Sequence, residues 1–127
     1  QLANFWQDVS RDYDIGRIYL PRADSDRIGS RLEDFESRVM NPAFRELMKF
    51  EVDRARQFLT EGLPLIPQLP GRLQVDIDLF AQGGLRILQR IEGIDYRVWQ
   101  TRPKVTKGDA MRLLVGALWR RCWRRSN

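Results

Sequence analysis

Residues 1–21 read QLANFWQDVSRDYDIGRIYLP, and this stretch decides the fold that we predict. Apolar side chains recur in it every three or four residues, which is the periodicity of an amphipathic helix. These side chains are Leu2, Phe5, Trp6, Val9 and Tyr13. Asn4, Asp8 and Asp12 recur every four residues and fall beside the apolar face. The sequence therefore predicts a helix over residues 1–14 with a polar row at the border of its buried face.

The next part of the chain predicts helices separated by turn-forming residues. Gly16 is expected to end the first helix, and a loop is expected to follow as far as Ser30. The apolar spacing indicates a short helix in residues 32–39. A long helix is expected over residues 42–62, because Asn41 is a favoured N-cap and is followed by a proline.

The segment LPLIPQLPG (63–71) contains three prolines and predicts an extended crossing over the core, because proline disfavours helix. Further helices are expected over residues 73–92 and from Asp109, as N-cap, through Trp123. No strand-like alternation persists anywhere. The predicted fold class is therefore all-α, with four or five helices joined in part by Pro-rich connections.

The composition excludes several kinds of active site. The chain has no His, which rules out imidazole general bases, Ser-His-Asp triads and His-ligated zinc. Its single cysteine, Cys122, cannot form an intrachain disulfide, which fits a cytoplasmic protein. No apolar run approaches the roughly 20 residues that a membrane-spanning helix needs. We therefore expect a cytoplasmic helical domain.

Basic residues are concentrated near the end of the chain. Residues 101–127 carry eight basic side chains and one acidic one, a net charge of +7, whereas residues 1–100 carry −2. Trp119 and Trp123 lie one helical turn apart among these arginines. Such a helix suits peripheral contact with an anionic membrane, and the alternative is docking onto the protein body with solvated arginines. No nucleic-acid partner is expected, because no DNA- or RNA-binding motif accompanies the charge.

The polar row of the first helix suggests a cation site. Side chains at this spacing lie about 6 Å apart along one helix face, so the oxygens of Asn4, Asp8 and Asp12 can share a hard cation and its waters. Mg²⁺ suits such a row because it takes oxygen ligands and completes its shell with water and substrate phosphates. The alternative is a solvated acidic stripe that pairs with Arg11.

Two blocks of the sequence resemble the squalene/phytoene synthase family, the head-to-head branch of the trans-isoprenyl diphosphate synthases. Residues 1–21 resemble its second aspartate-rich motif. GGLRILQRIEGIDYRVWQTRPKV (83–105) resembles a later helix of the family and the Arg-Pro loop that follows it. Within the family, the Phe-Trp-Gln-Asp and Gly-Gly-Leu-Arg-Ile-Leu forms are most similar to bacterial hydroxysqualene synthase of hopanoid biosynthesis.

The resemblance implies the later half of an all-α isoprenoid synthase fold, so we expect residues 1–127 to be the C-terminal portion of a longer domain. Family members carry an earlier aspartate-rich motif on a facing helix, and these residues contain no such motif. The expected partners are accordingly the missing N-terminal half and a prenyl diphosphate. We expect the fragment alone to be inactive.

The resemblance also implies roles for individual residues. The metal ligands for Mg²⁺ would be Asn4, Asp8 and Asp12, and the two aspartates would be catalytic. The contacts to the diphosphate would be Gln1, Asn4, Arg17, Tyr96 and Arg102. Gln7 stands where many relatives have Arg.

The substrate cavity would be lined by Phe5, Trp6, Gly83 and Gly84. The two aromatic rings could face a carbocation or simply pack in the core. The two glycines lie inside a helix, where each costs about 1 kcal/mol relative to Ala. They would allow either a close helix–helix approach or room for the isoprenoid chain.

The implied reaction converts presqualene diphosphate to hydroxysqualene, with water quenching the rearranged cation and no nicotinamide required. One alternative is a squalene or phytoene synthase that condenses two prenyl diphosphates, such as farnesyl diphosphate. A further alternative is a helical binding module or basic adaptor without catalytic activity.

Overall fold

The computed structural model describes residues 1–126, without the side chains of Arg72, Arg121, Arg124, Arg125 and Ser126. The described residues form seven α-helices and one 3-10 helix, and they contain no strand. The α-helices are α1 (Leu2–Gln7), α2 (Val9–Asp14), α3 (Arg22–Ile28), α4 (Leu32–Ser37), α5 (Pro42–Gly62), α6 (Gly71–Gly93) and α7 (Lys107–Ser126). The 3-10 helix spans Leu63–Gln68. The all-α prediction is confirmed, with more helices than expected.

The first predicted helix is present but is interrupted at Asp8. The Asp8 backbone has φ −104° and ψ 13°, which separates α1 from α2. Hydrogen bonds continue across the break, since the Asp8 N–H donates to the Asn4 carbonyl at 3.0 Å and the Asp12 N–H to the Asp8 carbonyl at 2.8 Å. Gly16, with φ +73°, follows α2 in the left-handed region, as a helix stop requires.

Two predicted irregular segments are helical instead. Residues 22–28 form α3, where a loop was expected, and Arg54 of α5 holds this segment by donating to Asp24 at 2.8 Å. Residues 63–68 form the 3-10 helix, where an extended crossing was expected. Proline fixes φ near −65°, a value that a 3-10 helix also uses, so the prolines are compatible with this short element. Ile66 anchors it with a side chain that is 1% exposed.

The N-cap of α5 is confirmed, whereas that of α7 was assigned to the wrong residue. The Asn41 side chain accepts the Phe44 N–H at 2.8 Å. At α7 the cap is Thr106, whose Oγ1 accepts the Asp109 N–H at 3.1 Å while the Asp109 carboxylate accepts the Thr106 N–H at 3.0 Å. This reciprocal pair is a capping box, which places Asp109 inside the first turn instead of at the cap.

Asp109 also attaches α7 to α6. Its carboxylate accepts hydrogen bonds from Arg86 at 2.7 Å and from Arg90 at 2.8 Å. The bond from the Thr106 backbone N–H, together with these guanidinium groups, holds the pKa of Asp109 well below its usual range. A single carboxylate therefore caps one helix and binds it to its neighbour.

The core lies where α1, α5 and α6 meet. Its fully buried side chains are Trp6, Phe44, Leu47, Met48, Val52, Leu88 and Ile91. Trp6 is 1% exposed, and its indole N–H donates to the Glu51 carbonyl at 3.1 Å. The opening helix is thus fixed against α5 by both packing and a hydrogen bond. Within the described part of the chain, no helix has the length and apolar character needed to cross a membrane.

Candidate active site

The polar row of the opening helix is divided by the break at Asp8. Gln1 and Asn4 are exposed at the start of the row, and Asp8 and Asp12 are half-buried further along. Among the side chains that the structure describes, no group of three or more Asp, Glu, His or Cys residues is arranged to hold a metal ion.

Asp8 and its neighbour Gln7 contact the Arg-Pro loop that follows α6. Arg102 donates from Nε to Asp8 Oδ1 at 2.5 Å and from Nη2 to Asp8 Oδ2 at 3.1 Å. The buried Gln7 side chain donates to the Pro103 carbonyl. The hydrogen bonds from Arg102, helped by the charges of Arg102 and Arg11, lower the pKa of Asp8 despite its partial burial. Asp8 is therefore held ionised beside a cation.

Removing the Arg102 guanidinium is expected to raise the pKa of Asp8 towards its ordinary value. In the Arg102→Gln variant the carboxylate loses its two charge-assisted hydrogen bonds, so its charged form is less favoured. Arg11→Gln, the matched control, should raise this pKa less, because Arg11 makes the smaller contribution. Carboxyl ¹³C NMR titration measures both variants. An equal pKa of Asp8 in wild type and Arg102→Gln would contradict the assigned contact.

Asp12 of α2 lies beside Arg17, which follows the end of that helix. They line a small cavity of about 10 Å³ together with Phe5, whose ring stacks on Tyr19 with centroids 4.1 Å apart. The Arg17 backbone N–H donates to the Asp12 carbonyl at 2.8 Å. Among the side chains that the structure describes, none forms a salt bridge or hydrogen bond with the Asp12 carboxylate or the Arg17 guanidinium. A carboxylate and a guanidinium thus line one cavity.

An apolar groove of about 490 Å³ runs between α1, α5 and α6. It is lined by Gln1, Leu2, Ala3, Asn4, Ala55, Phe58, Leu59, Leu79, Phe80, Gly83, Gly84 and Ile87. A Cβ at Gly84 would lie 3.0 Å from a Leu59 methyl carbon, so this glycine permits a close helix approach. A Cβ at Gly83 would meet nothing within 4 Å. The two glycines therefore have different roles, and only Gly83 adds open space to the groove.

Phe5 lines the small cavity with Asp12 and Arg17 and not the groove. Two other predicted site residues line neither cavity. Trp6 is in the core, where its ring packs against α5. Tyr96 is buried and lies beside α5, where the Arg45 guanidinium is 5.6 Å from its ring centroid.

The environment of Tyr96 explains its altered acidity. Burial is the main reason that the pKa of Tyr96 is raised, and the negative charges of Glu92 and Asp53 raise it further. None of the predicted metal ligands is among its charged neighbours. The described geometry gives this tyrosine no contact with the polar row.

The sequence analysis missed two aromatic residues that line the groove and one long-range hydrogen bond beside Asp8. Phe58 and Phe80 line the groove and are 58% and 75% exposed. Phe80 lies three residues before Gly83, on the same face of α6, so helical spacing contained a signal for it. The hydrogen bond from Gln7 to the Pro103 carbonyl was also missed. The two residues are 96 positions apart, and no local sequence pattern indicates a contact over that distance.

The donor set is compatible with Mg²⁺. An ionised carboxylate offers about four lone-pair positions, and Arg102 occupies two of them on Asp8. Asp12 is engaged by no side chain in the described residues, and Asn4 adds an exposed amide oxygen. These are the hard oxygen ligands that Mg²⁺ prefers.

Comparison with known proteins places this geometry in a family. The sequence model of squalene/phytoene synthases matches residues 1–109. The chain is 37% identical over 107 residues to the 15-cis-phytoene synthase of a Synechocystis strain, covering 83% of this chain and 31% of that protein. It is 43% identical over 75 residues to the phytoene synthase of Mycobacterium tuberculosis, covering 57% of this chain and 25% of that protein.

A solved structure shares the fold. The crystal structure of squalene synthase HpnC from Alicyclobacillus acidocaldarius superposes with a TM-score of 0.72 at 40% sequence identity. The superposition covers 76% of this chain and 36% of that one. The chain thus spans about a third of the length of these relatives, with the all-α isoprenoid synthase architecture. On its sequence and its fold, this chain belongs to the squalene/phytoene synthase family.

Proposed function

We propose that this chain is the later part of a Mg²⁺-dependent synthase that converts presqualene diphosphate to hydroxysqualene in hopanoid biosynthesis. One observation carries the proposal: Gln1 and Asn4, at the start of the polar row that continues through Asp8 to Asp12, lie at the border of an apolar groove. A diphosphate ester of an isoprenoid needs this combination of a polar end and an apolar channel. The choice within the family rests on the Phe-Trp-Gln-Asp and Gly-Gly-Leu-Arg-Ile-Leu forms of the two sequence blocks.

The polar residues would bind the diphosphate end of the substrate. Asp8 and Asp12, with Asn4, would hold Mg²⁺, which supplies Lewis-acid stabilisation of a diphosphate leaving group when bound. Arg17 would donate charge-assisted hydrogen bonds to diphosphate oxygens from its position beside Asp12. Arg102 would hold Asp8 ionised and oriented, so that this carboxylate keeps its negative charge for the metal.

The groove residues would bind the hydrocarbon. Phe58, Phe80 and Ile87 present apolar surface that accommodates an isoprenoid chain and keeps water away from it. Gly83 leaves its part of the groove wide. Ionisation of presqualene diphosphate breaks the carbon–oxygen bond and releases diphosphate, and one water then adds to the rearranged cation and loses a proton to give the alcohol.

A second function is favoured by the curated relatives. The protein from Synechocystis and the protein from Mycobacterium tuberculosis are both described as phytoene synthases. The runner-up is therefore the condensation of two prenyl diphosphates. The two functions share the metal and the diphosphate contacts, and they differ in the substrate that enters.

Incubation with defined substrates separates these functions. The complete protein that contains this chain is supplied with Mg²⁺ and either presqualene diphosphate, farnesyl diphosphate or geranylgeranyl diphosphate, and its products are identified by mass spectrometry. We expect hydroxysqualene and diphosphate from presqualene diphosphate. Phytoene or its precursor from geranylgeranyl diphosphate would instead support the runner-up. Binding of these substrates without turnover would support a module that only binds.

A further inference from the structure

We propose that the outer face of α7 is a surface that binds an anionic lipid membrane. This inference does not depend on the proposed function. It concerns a helix that lies almost entirely beyond residues 1–109, the part of the chain that matches the family.

The polarity of α7 is reversed with respect to an ordinary surface helix. Its inner face carries the buried Ala117 and is attached to α6 by ion pairs: Asp109 with Arg86 and Arg90, and Arg120 with the buried Asp78 at 2.9 Å. Six large apolar side chains point the other way and are between 40% and 66% exposed. They are Met111, Leu114, Val115, Leu118, Trp119 and Trp123. An amphipathic helix normally turns its apolar face inwards, so this arrangement indicates an external apolar partner.

The charge around this face favours an anionic partner. Residues 101–127 carry a net charge of +7, and their one acidic residue, Asp109, is already paired with α6. Lys107 and Arg112 are exposed near the start of the helix. Basic residues that attract anionic headgroups, next to tryptophan and aliphatic side chains that enter the interface, are the features of helices that lie on membranes.

The two exposed tryptophans suit the interfacial region in particular. The Trp119 and Trp123 rings lie nearly parallel, at an interplanar angle of 11° with centroids 6.4 Å apart. They are 66% and 62% exposed. Tryptophan is favoured at the level of lipid headgroups, where its ring meets hydrocarbon and its N–H remains hydrated.

Other occupants of this face are less consistent with the geometry. A second copy of the chain would bring two segments of charge +7 together, which opposes association. The groove uses the face of α6 that includes Phe80 and Gly84. The residues of α6 that contact α7, including Asp78 and Arg86, occupy a different face. The outer face of α7 is therefore separate from the groove.

Vesicle sedimentation of the complete protein that contains this chain tests the proposal. Vesicles of equal parts phosphatidylcholine and phosphatidylglycerol should sediment the protein at low salt, whereas phosphatidylcholine alone should sediment at least about tenfold less, because headgroup charge contributes to binding. Added salt should weaken the binding. Trp119→Ser combined with Trp123→Ser should also weaken it by at least about tenfold, since both rings leave the interface.

Two controls make the result specific. Leu65→Ser removes an apolar side chain that is 58% exposed on the 3-10 helix, away from α7, and should leave vesicle binding unchanged. Tryptophan fluorescence should shift to the blue with anionic vesicles in wild type but not in the double variant. Trp6 and Trp99 are 1% and 8% exposed, so they are already shielded from water and do not report the vesicle.

Three outcomes would overturn the proposal. The first is no sedimentation with anionic vesicles at low salt. The second is equal binding by the double variant, which would place the contact elsewhere. The third is a wild-type dimer in solution that the double variant makes monomeric, without vesicle binding, because the outer face of α7 would then be an interface between copies.

Discussion

Replacing Asp12 by Asn in the complete protein is expected to lower Mg²⁺-dependent release of diphosphate by at least about 100-fold. The substitution keeps the shape of the side chain but removes a negative oxygen from the proposed metal site. A metal-bound leaving group gains several kcal/mol of transition-state stabilisation, and each 1.36 kcal/mol corresponds to about a factor of ten in rate. Asp12 is the appropriate residue because no side chain in the described part of the chain engages its carboxylate. Steady-state kinetics with presqualene diphosphate measures the effect.

Asp14→Asn is the matched control for this variant. Asp14 lies on the same helix, two residues further on, but it is exposed and forms a surface salt bridge with Arg38. Its loss should leave turnover close to that of the wild type, because exposed ion pairs contribute little. Calorimetric titration with Mg²⁺ adds a binding measurement and should show weaker binding only for Asp12→Asn. Wild-type turnover in Asp12→Asn would remove the residue from the proposed site.

Trp6→Ala is expected to lower the free energy of unfolding by about 3–5 kcal/mol, the range for truncating a large aromatic side chain in a core. Trp6 is 1% exposed and donates to the Glu51 carbonyl, so the variant loses both its packing and this hydrogen bond. Domains of ordinary size are stable by only about 5–15 kcal/mol, so the loss would be a large fraction of the total. Urea denaturation of the full chain, followed by circular dichroism, measures the change in midpoint.

Trp119→Ala provides the same chemical change at an exposed position. Its ring is 66% exposed, and substitutions at such sites usually change stability by no more than about 0.5 kcal/mol. The two variants together separate core packing from the general effect of losing an indole. Equal denaturation midpoints for Trp6→Ala and wild type would show that the opening helix does not depend on its contact with α5.

The sequence predicted those parts of the fold that depend on local patterns. Apolar spacing identified the opening helix, and the Asn41 cap with the following proline identified the start of α5. Both signals arise from residues within one or two turns of each other, which the order of the chain displays directly.

The parts that were missed depend on distant contacts. Asp and Ser residues near position 25 favour a loop locally, yet α3 forms there and Asp24 pairs with Arg54, 30 residues away. The N-cap of α7 is a different case, because Thr106 and Asp109 form a capping box at the local Thr-x-x-Asp spacing, a signal that the sequence contained. The part that the order of the chain did not show is the contact of Arg86 and Arg90 with the Asp109 carboxylate from another helix.

The contact between Asp8 and Arg102 has a consequence for synthesis of the protein. The two residues are 94 positions apart, so the aspartate leaves the ribosome long before the arginine that neutralises it. Until then Asp8 lacks its guanidinium partner and Gln7 lacks the Pro103 carbonyl that accepts its N–H. These two contacts therefore form only after the loop beyond α6 has emerged, and they close most of the chain into one loop.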